Sequence, residues 1–390
     1  MNVLIIGGGA SGMLAALSAS EDKSNTVTLL ERQGRVGRKL AATGNGRCNI
    51  TNTGTPEGHY HGEDPAFPLA IIRQFDELKF FSSLGLLCTE QYGGRVYPHS
   101  DSANSVVDVL RFALAASDVN VVTSAQVLSA KKKGDQFIVT TDSETYYADS
   151  LIIACGGRAG GKLGGTKDGY ELLQSFGHSC TKLHCALVPV TTEGDYTRSL
   201  KGIRCEASLS LGNCRSTGEL QFVENGISGP AAFDISRAAA LAFGEPVCID
   251  LLPEGADILP VLRSRRNSMP ELEAGSLLTG ILHNRLGLVI VKYCGIRPSA
   301  PLSSLSENDL ENIAYACRHF TLTVKGVGDF DNAQITVGGI RTCEFQADTL
   351  QSALVPGLYA CGEVLDVDAD CGGYNLRWAW ASGYLAGKLK

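Results

Sequence analysis

A chain of 390 residues exceeds the size at which one hydrophobic core stops growing, so two or three domains are expected. Hydrophobic residues make up 44% and charged residues 19%, with 45 glycines, which suits a turn-rich α/β protein better than a helical or disordered one. The formal charge of −7 gives no electrostatic drive toward phosphate backbones or anionic membranes, so neither nucleic acid nor membrane is expected as a partner.

The opening run, residues 3–19, is apolar but lacks a basic leader and is broken by Gly7, Gly8, Gly9 and Gly12, so it does not read as a secretory segment. No apolar run elsewhere is long enough to predict a transmembrane helix. Val3-Leu4-Ile5-Ile6 reads as a buried parallel strand, residues 13–19 as a helix of small and apolar residues, and Thr26-Val27-Thr28-Leu29-Leu30 as a second strand, making one βαβ unit. Lys131-Lys132-Lys133 reads as a solvated turn before a hairpin of residues 136–140 and 145–148. Residues 151–155 form another buried strand ending in Gly156-Gly157. Residues 187–233 alternate short β-like runs with Gly, Asn and Thr, and residues 253–316 turn helical, with residues 298–304 as a loop and Ser306 as an N-cap. Residues 357–362 look like a strand returning to the first sheet, and Gly372-Gly373 opens a last helix rich in small residues, which would allow close approach to a sheet or a ring system.

Gly7, Gly9 and Gly12 fit G-x-G-x-x-G directly after a strand. The first glycine makes the turn, the second admits a pyrophosphate, and the third lets helix and strand pack closely. Glu31 closes the second strand where a ribose 2′-OH needs a carboxylate, which also argues against a 2′-phosphate. The far end of the chain separates FAD from NAD. Glu363 and Asp366 follow a strand, and the free N–H groups of Tyr374, Asn375 and Leu376 would face the flavin pyrimidine edge, where reduced flavin carries negative charge.

The segments Gly37-Arg38-Lys39-Leu40-Ala41-Ala42-Thr43-Gly44-Asn45-Gly46-Arg47-Cys48-Asn49-Ile50-Thr51-Asn52, Gly218-Glu219-Leu220 with Gly226-Ile227-Ser228-Gly229-Pro230, and residues 362–383 carry a resemblance. The whole chain resembles the BaiN-like flavoproteins, also known as the aminoacetone-oxidase-like family, which are related to glutathione-reductase-type FAD folds. The resemblance implies an α/β Rossmann-type FAD domain in two segments, 1–186 and 334–390. It is interrupted by a β-barrel-like substrate domain, 187–250 and 318–333, and a helical insert, 251–317. It also implies that residues 43–49 lie along the flavin. Two departures stand out: Arg158-Ala159-Gly160-Gly161 follows Gly156-Gly157 where the family has serine and proline, and Arg377 stands where it commonly has glutamine.

Fingerprint and resemblance together nominate a cofactor-binding set. From the first half-site come Gly7, Gly9, Ala10, Ser11, Gly12, Glu31, Arg32, Arg38, Lys39, Thr43, Gly44, Asn45, Cys48 and Asn49. Gln126, Val127, Ala154, Cys155, Gly156 and Gly157 follow, then Gly362, Glu363, Asp366, Gly372, Gly373, Tyr374, Asn375 and Leu376. Tyr97, His99 and Tyr374 are the candidate proton donors. Trp378 and Trp380 read as packing residues. The thirteen cysteines include no C-x-x-C, so Cys48, Cys155, Cys361 and Cys371 read as small buried residues in a reducing cytoplasm; no metal site is expected.

Three function classes remain open. The first is hydride transfer between FAD and a small or medium apolar substrate, such as reduction of a steroid- or bile-acid-like enone, with NADH or NADPH as a transient donor. The second is an amine or aminoketone oxidase using oxygen, and the third a flavin-binding structural or tRNA-handling protein. The acidic balance disfavours the nucleic-acid version.

Overall fold

Five short runs, most of them strongly apolar, meet in a parallel sheet in the computed structural model, which describes residues 1–194 and 196–390. Its order is Leu358–Ala360, Ser150–Ile153, Asn2–Ile6, Thr26–Glu31 and Asn120–Thr123. Each neighbouring pair is parallel, and the strand Leu358–Ala360 pairs with the strand at Ser150–Ile153, the return expected from residues 357–362. Strands covered on both faces need apolar residues throughout, and Leu4, Ile5, Leu29, Leu151, Ile152 and Leu358 are all buried.

The chain divides into two units: Met1–Cys185 with Phe330–Lys390, and Ala186–Asp329. The second unit is built on a closed antiparallel barrel in the order Val190–Thr192, Gly226–Ser228, Cys214–Val223, Arg204–Leu211, Pro246–Asp250 and Phe320–Val327. Barrel closure leaves no strand edge open. Between its last two strands run the helices Leu259–Ser268, Asn284–Tyr293 and Glu307–Arg318. Ser306 caps the third: its hydroxyl accepts from Asp309 N at 3.2 Å, and Asp309 accepts from Ser306 N at 2.8 Å.

In the first unit, the helix Ala10–Ala19 lies backbone to backbone against the C-terminal helix Tyr374–Gly387. A Cβ at Gly383 would overlap the carbonyl oxygen of Ser11, and one at Gly387 the carbonyl oxygen of Ala15. The small residues of the last helix therefore serve contact with the first helix, where the sequence left a sheet or a ring as the partner. Trp378 and Trp380 are buried as packing residues, their indole N–H groups donating to Gly362 O at 3.1 Å and Ile50 O at 2.9 Å.

The sequence reading fails at Lys131-Lys132-Lys133. These residues are not a turn but the end of the strand Val127–Lys133, paired with Gln136–Thr141 in a three-stranded sheet. On a sheet with one wet face, alternate lysines reach solvent while the backbone stays in the ladder, and Ala130 supplies the buried side.

The helix apposition makes a prediction in which sign decides. Helix propensity alone would have Gly383→Ala stabilise the protein by about 0.8–1 kcal/mol. Overlap with the Ser11 carbonyl instead predicts destabilisation by about 1–3 kcal/mol, read as a lower urea midpoint.

Candidate functional site

The three fingerprint glycines are distinguishable by what a side chain would meet. At Gly7, with φ +108°, a Cβ would strike the Ala154 carbonyl, and at Gly12 it would overlap Gly7 O. At Gly9 it would meet nothing within 4 Å. The first and third glycines thus hold strand and helix together, while the second faces open space. The helix that follows has no side-chain cap and no acidic residue in its first turn, so its N–H groups of Ala10, Ser11 and Gly12 are available to an anion.

Glu31 is fixed by two backbone donors, Gly8 N to Oε2 at 2.8 Å and Gln33 N to Oε1 at 2.7 Å. Its own carbonyl accepts from Ala125 N at 3.0 Å, which brings Gln126 and the start of the Val127 strand beside it. Arg32 pairs with Asp168 at 3.0 Å, and Arg38 reaches Gln33. Lys39 donates to Glu363 Oε2 at 2.7 Å, while Glu363 Oε1 accepts from Thr336 N at 2.7 Å. Gly157 abuts that same carboxylate, and Gly156, with φ +71°, opens to empty space. Asp366 is buried and accepts from Glu63 N at 3.2 Å.

Residues 43–49 fold into a tight loop in which Gly44, Asn45, Gly46 and Cys48 all take positive φ. Thr43 donates to Leu40 O at 2.7 Å and its carbonyl accepts from Cys48 N at 2.9 Å. The side-chain oxygen of Asn49 is buried without a hydrogen-bond donor and lies beside Gly373. Gly373 has φ +106°, and a Cβ there would also press on the Thr51 backbone, so a glycine is required by the protein chain itself. The close approach that the sequence expected to a sheet or a ring system is made at this position to the protein's own backbone. Asn375 likewise spends its side chain inward, accepting from Ala369 N at 3.0 Å and donating to Ala369 O at 2.7 Å. Its part in any ligand contact falls to its backbone N–H, with those of Tyr374 and Leu376.

A cluster that the sequence did not reveal braces this helix start. Tyr60–His61 pairs antiparallel with Asp368–Ala369, and Asp370 receives one imidazole on each oxygen: His59 Nδ1 at 2.9 Å and His61 Nε2 at 2.8 Å. Burial alone would push the Asp370 carboxyl up, but the two histidine hydrogen bonds outweigh it and hold it below the usual carboxylate range. Tyr374 stacks on His59 with centroids 4.3 Å apart, and the Tyr60 hydroxyl donates to Tyr374 O at 3.0 Å. Burial raises the Tyr374 hydroxyl above its ordinary value, keeping it protonated at neutral pH.

The other two candidate donors sit elsewhere. Tyr97 is buried beside Gly44 under the Arg47 guanidinium, 4.1 Å from the ring centre. His99 is exposed, its Nδ1 3.1 Å from Thr89 Oγ1. All thirteen cysteines are free; burial pushes the Cys48 and Cys361 thiols up to about 12 and raises Cys155, so none of these three is a thiolate at neutral pH. An open, largely apolar cavity of about 540 Å³ is lined by Thr53, Leu78, Leu86, Leu87, Cys88 and Val96.

Residues 1–389 match the HI0933-like protein Rossmann domain family. The chain belongs to that FAD-binding family. This HI0933-like chain is 39% identical, over 98% of its length and 97% of the relative's, to the 3-dehydro-bile acid delta(4,6)-reductase of Clostridium scindens. It is 30% identical, over 98% and 96%, to the ribosomal RNA dihydrouridine synthase of Escherichia coli. Among solved structures, 3-ketosteroid delta1-dehydrogenase from Sterolibacterium denitrificans shares the fold with TM-score 0.52 at 13% identity, covering 99% of this chain and 98% of that one. The protein is a FAD-dependent oxidoreductase, and among the described residues no helix is long and apolar enough to cross a membrane.

The residues present suit FAD. Open space at Gly9 before an uncapped helix fits a pyrophosphate, and the unpartnered Asn49 oxygen beside the glycine-led helix start provides an acceptor for a ring N–H.

Glu31→Ala should weaken FAD binding by about 1.5–3 kcal/mol, because it removes a charged acceptor and frees the Gly8 N–H that shapes the glycine loop. A titration with unchanged affinity would remove Glu31 from the site. A second expectation concerns acid. The stabilisation from Asp370 is present above its unfolded pKa and is lost as pH falls through its lowered folded value. Asp370→Asn should therefore lower the melting temperature at pH 7 and flatten the acid limb of the stability profile.

Proposed function

We propose that this chain reduces a C=C bond conjugated to a carbonyl in a small to medium apolar substrate of steroid- or bile-acid-like character. The near full-length 39% identity to a 3-dehydro-bile acid delta(4,6)-reductase carries this reading. Bound and reduced, FAD supplies the hydride. The chain's own residues must hold the cofactor, exclude water and deliver a proton to the carbon next to the carbonyl. Among Tyr97, His99 and Tyr374 we assign that proton to Tyr374, whose buried hydroxyl stays protonated and whose ring is fixed on His59 at the head of the last helix.

We assign binding of the adenosine half to Gly7, Gly9, Ala10, Ser11, Gly12 and Glu31, and binding of the ring to residues 43–49 and 372–376. NADH or NADPH is the proposed electron donor, visiting without a second glycine fingerprint of its own. A second reading comes from the 30% identity to a ribosomal RNA dihydrouridine synthase. The uracil 5,6 double bond is likewise conjugated to a carbonyl, so the chemistry is shared and only the substrate body differs. The charge of −7 favours the apolar small molecule.

The deciding experiment photoreduces the enzyme without oxygen and mixes it in a stopped-flow instrument with a panel of steroid enones, with unmodified ribosomal RNA, or with aerated buffer. Flavin reoxidation by an enone, with loss of its conjugated absorbance, is expected. Reoxidation by RNA alone would transfer the assignment to dihydrouridine synthesis. Reoxidation by oxygen alone, with stoichiometric peroxide, would make the protein an oxidase.

A further inference from the structure

A buried carboxylate needs a reason, and Glu77 is 5% exposed. It opens the helix Glu77–Ser83, accepts a hydrogen bond from the Thr51 hydroxyl, and lies 3.2 Å from Nε of Arg377. Arg377 is in the first turn of the C-terminal helix, and its Nη1 donates to Asn52 O at 3.2 Å. The side chain of that same Asn52 donates to Gly372 O at 3.0 Å. Gly373 in turn packs on the Thr51 backbone. Both charges are therefore tied, through the consecutive residues Thr51 and Asn52, to the Gly372-Gly373 turn.

We propose that Glu77 and Arg377 form a charge pair that sets the reduction potential of the bound flavin, the guanidinium favouring the anionic reduced ring and the carboxylate opposing it. The inference rests on the reading that residues 372–376 face the flavin pyrimidine edge. Reduction adds negative charge to that ring, so a nearby fixed cation makes the reduced form bind more tightly and a nearby fixed anion makes it bind less tightly. As a device for stability alone the pair is poor, because desolvating two ions offsets most of their attraction.

The test is the midpoint potential of the purified flavoprotein, measured by equilibration with a reference dye, for the wild type, Arg377→Gln, Arg377→Lys and Glu77→Gln. The expected signs are opposite. Arg377→Gln should lower the ratio of reduced to oxidised FAD affinity by roughly tenfold, about 30 mV for a two-electron couple, and Glu77→Gln should raise it. Arg377→Lys should stay near the wild type. A purely structural pair would weaken FAD binding in all variants and shift both midpoints alike or not at all, which would overturn the proposal. Where Arg377→Gln fails to retain FAD, the Glu77→Gln midpoint alone decides: a rise sustains the pair's role and no rise rejects it. Failure of the ring placement is separable, since flavin absorbance and quenching would then be identical in every variant.

Discussion

The apposition of the first and last helices is the constraint on which the rest of the FAD unit depends. Gly383 and Gly387 bring the C-terminal helix against the Ser11 and Ala15 carbonyls, and Gly362 adds a third contact where a Cβ would overlap the Ser11 hydroxyl. Ser382 completes the lock by accepting from Gly362 N at 3.0 Å. With the helix body fixed there, its first turn is fixed too. Asn52, Tyr60 and the Asp370 cluster need only hold the last few residues, 370–374, and each does so by one or two directed hydrogen bonds. Two segments far apart in sequence thereby become one half-site each, with neither geometry adjustable without the other.

The parts of this arrangement that are local in sequence were legible in it. Strand, glycine turn and helix are read from adjacent residues, because apolar continuity and missing side chains act over a few positions; the Ser306 cap is local in the same way. The returning strand at Leu358–Ala360 was visible for the same reason. Pairings across some three hundred residues were not. His59 and His61 stand in a polar stretch with no periodicity, and only the register of Tyr60–His61 on Asp368–Ala369 turns them toward Asp370. Glu77 carries the signature of an ordinary first-turn acid, and nothing near it announces that Arg377 will cover it. The requirement for glycine at 373 was legible, but its cause was not. The close neighbour is the Thr51 backbone, a contact that only the fold creates.

The lysines at 131–133 show the opposite error. Charge suggested a turn, yet a strand with one wet face accepts charged side chains at alternate positions without losing its ladder. Composition reports what solvent sees, while the hydrogen-bond pattern follows what lies beneath, here Ala130 and its partner Val139.

The chemistry can be placed on the same footing. An enone and a uracil ring present the same reacting unit, a double bond polarised by a carbonyl, although the substrates in the names of the two relatives, a bile acid and ribosomal RNA, differ widely. What a protein contributes to such a reaction is the ease with which reduced flavin forms and a proton held where the second C–H bond forms. In this chain the residues to which we assign both contributions meet at one turn. No side chain caps the helix that Gly373 opens, Arg377 donates to Asn52 with Glu77 beside it, and the Tyr374 ring is stacked on His59. On that assignment, hydride affinity and proton supply are coupled through the first turn of one helix. On the same assignment, a change that loosens the seat of that helix on Ser11 should disturb both together.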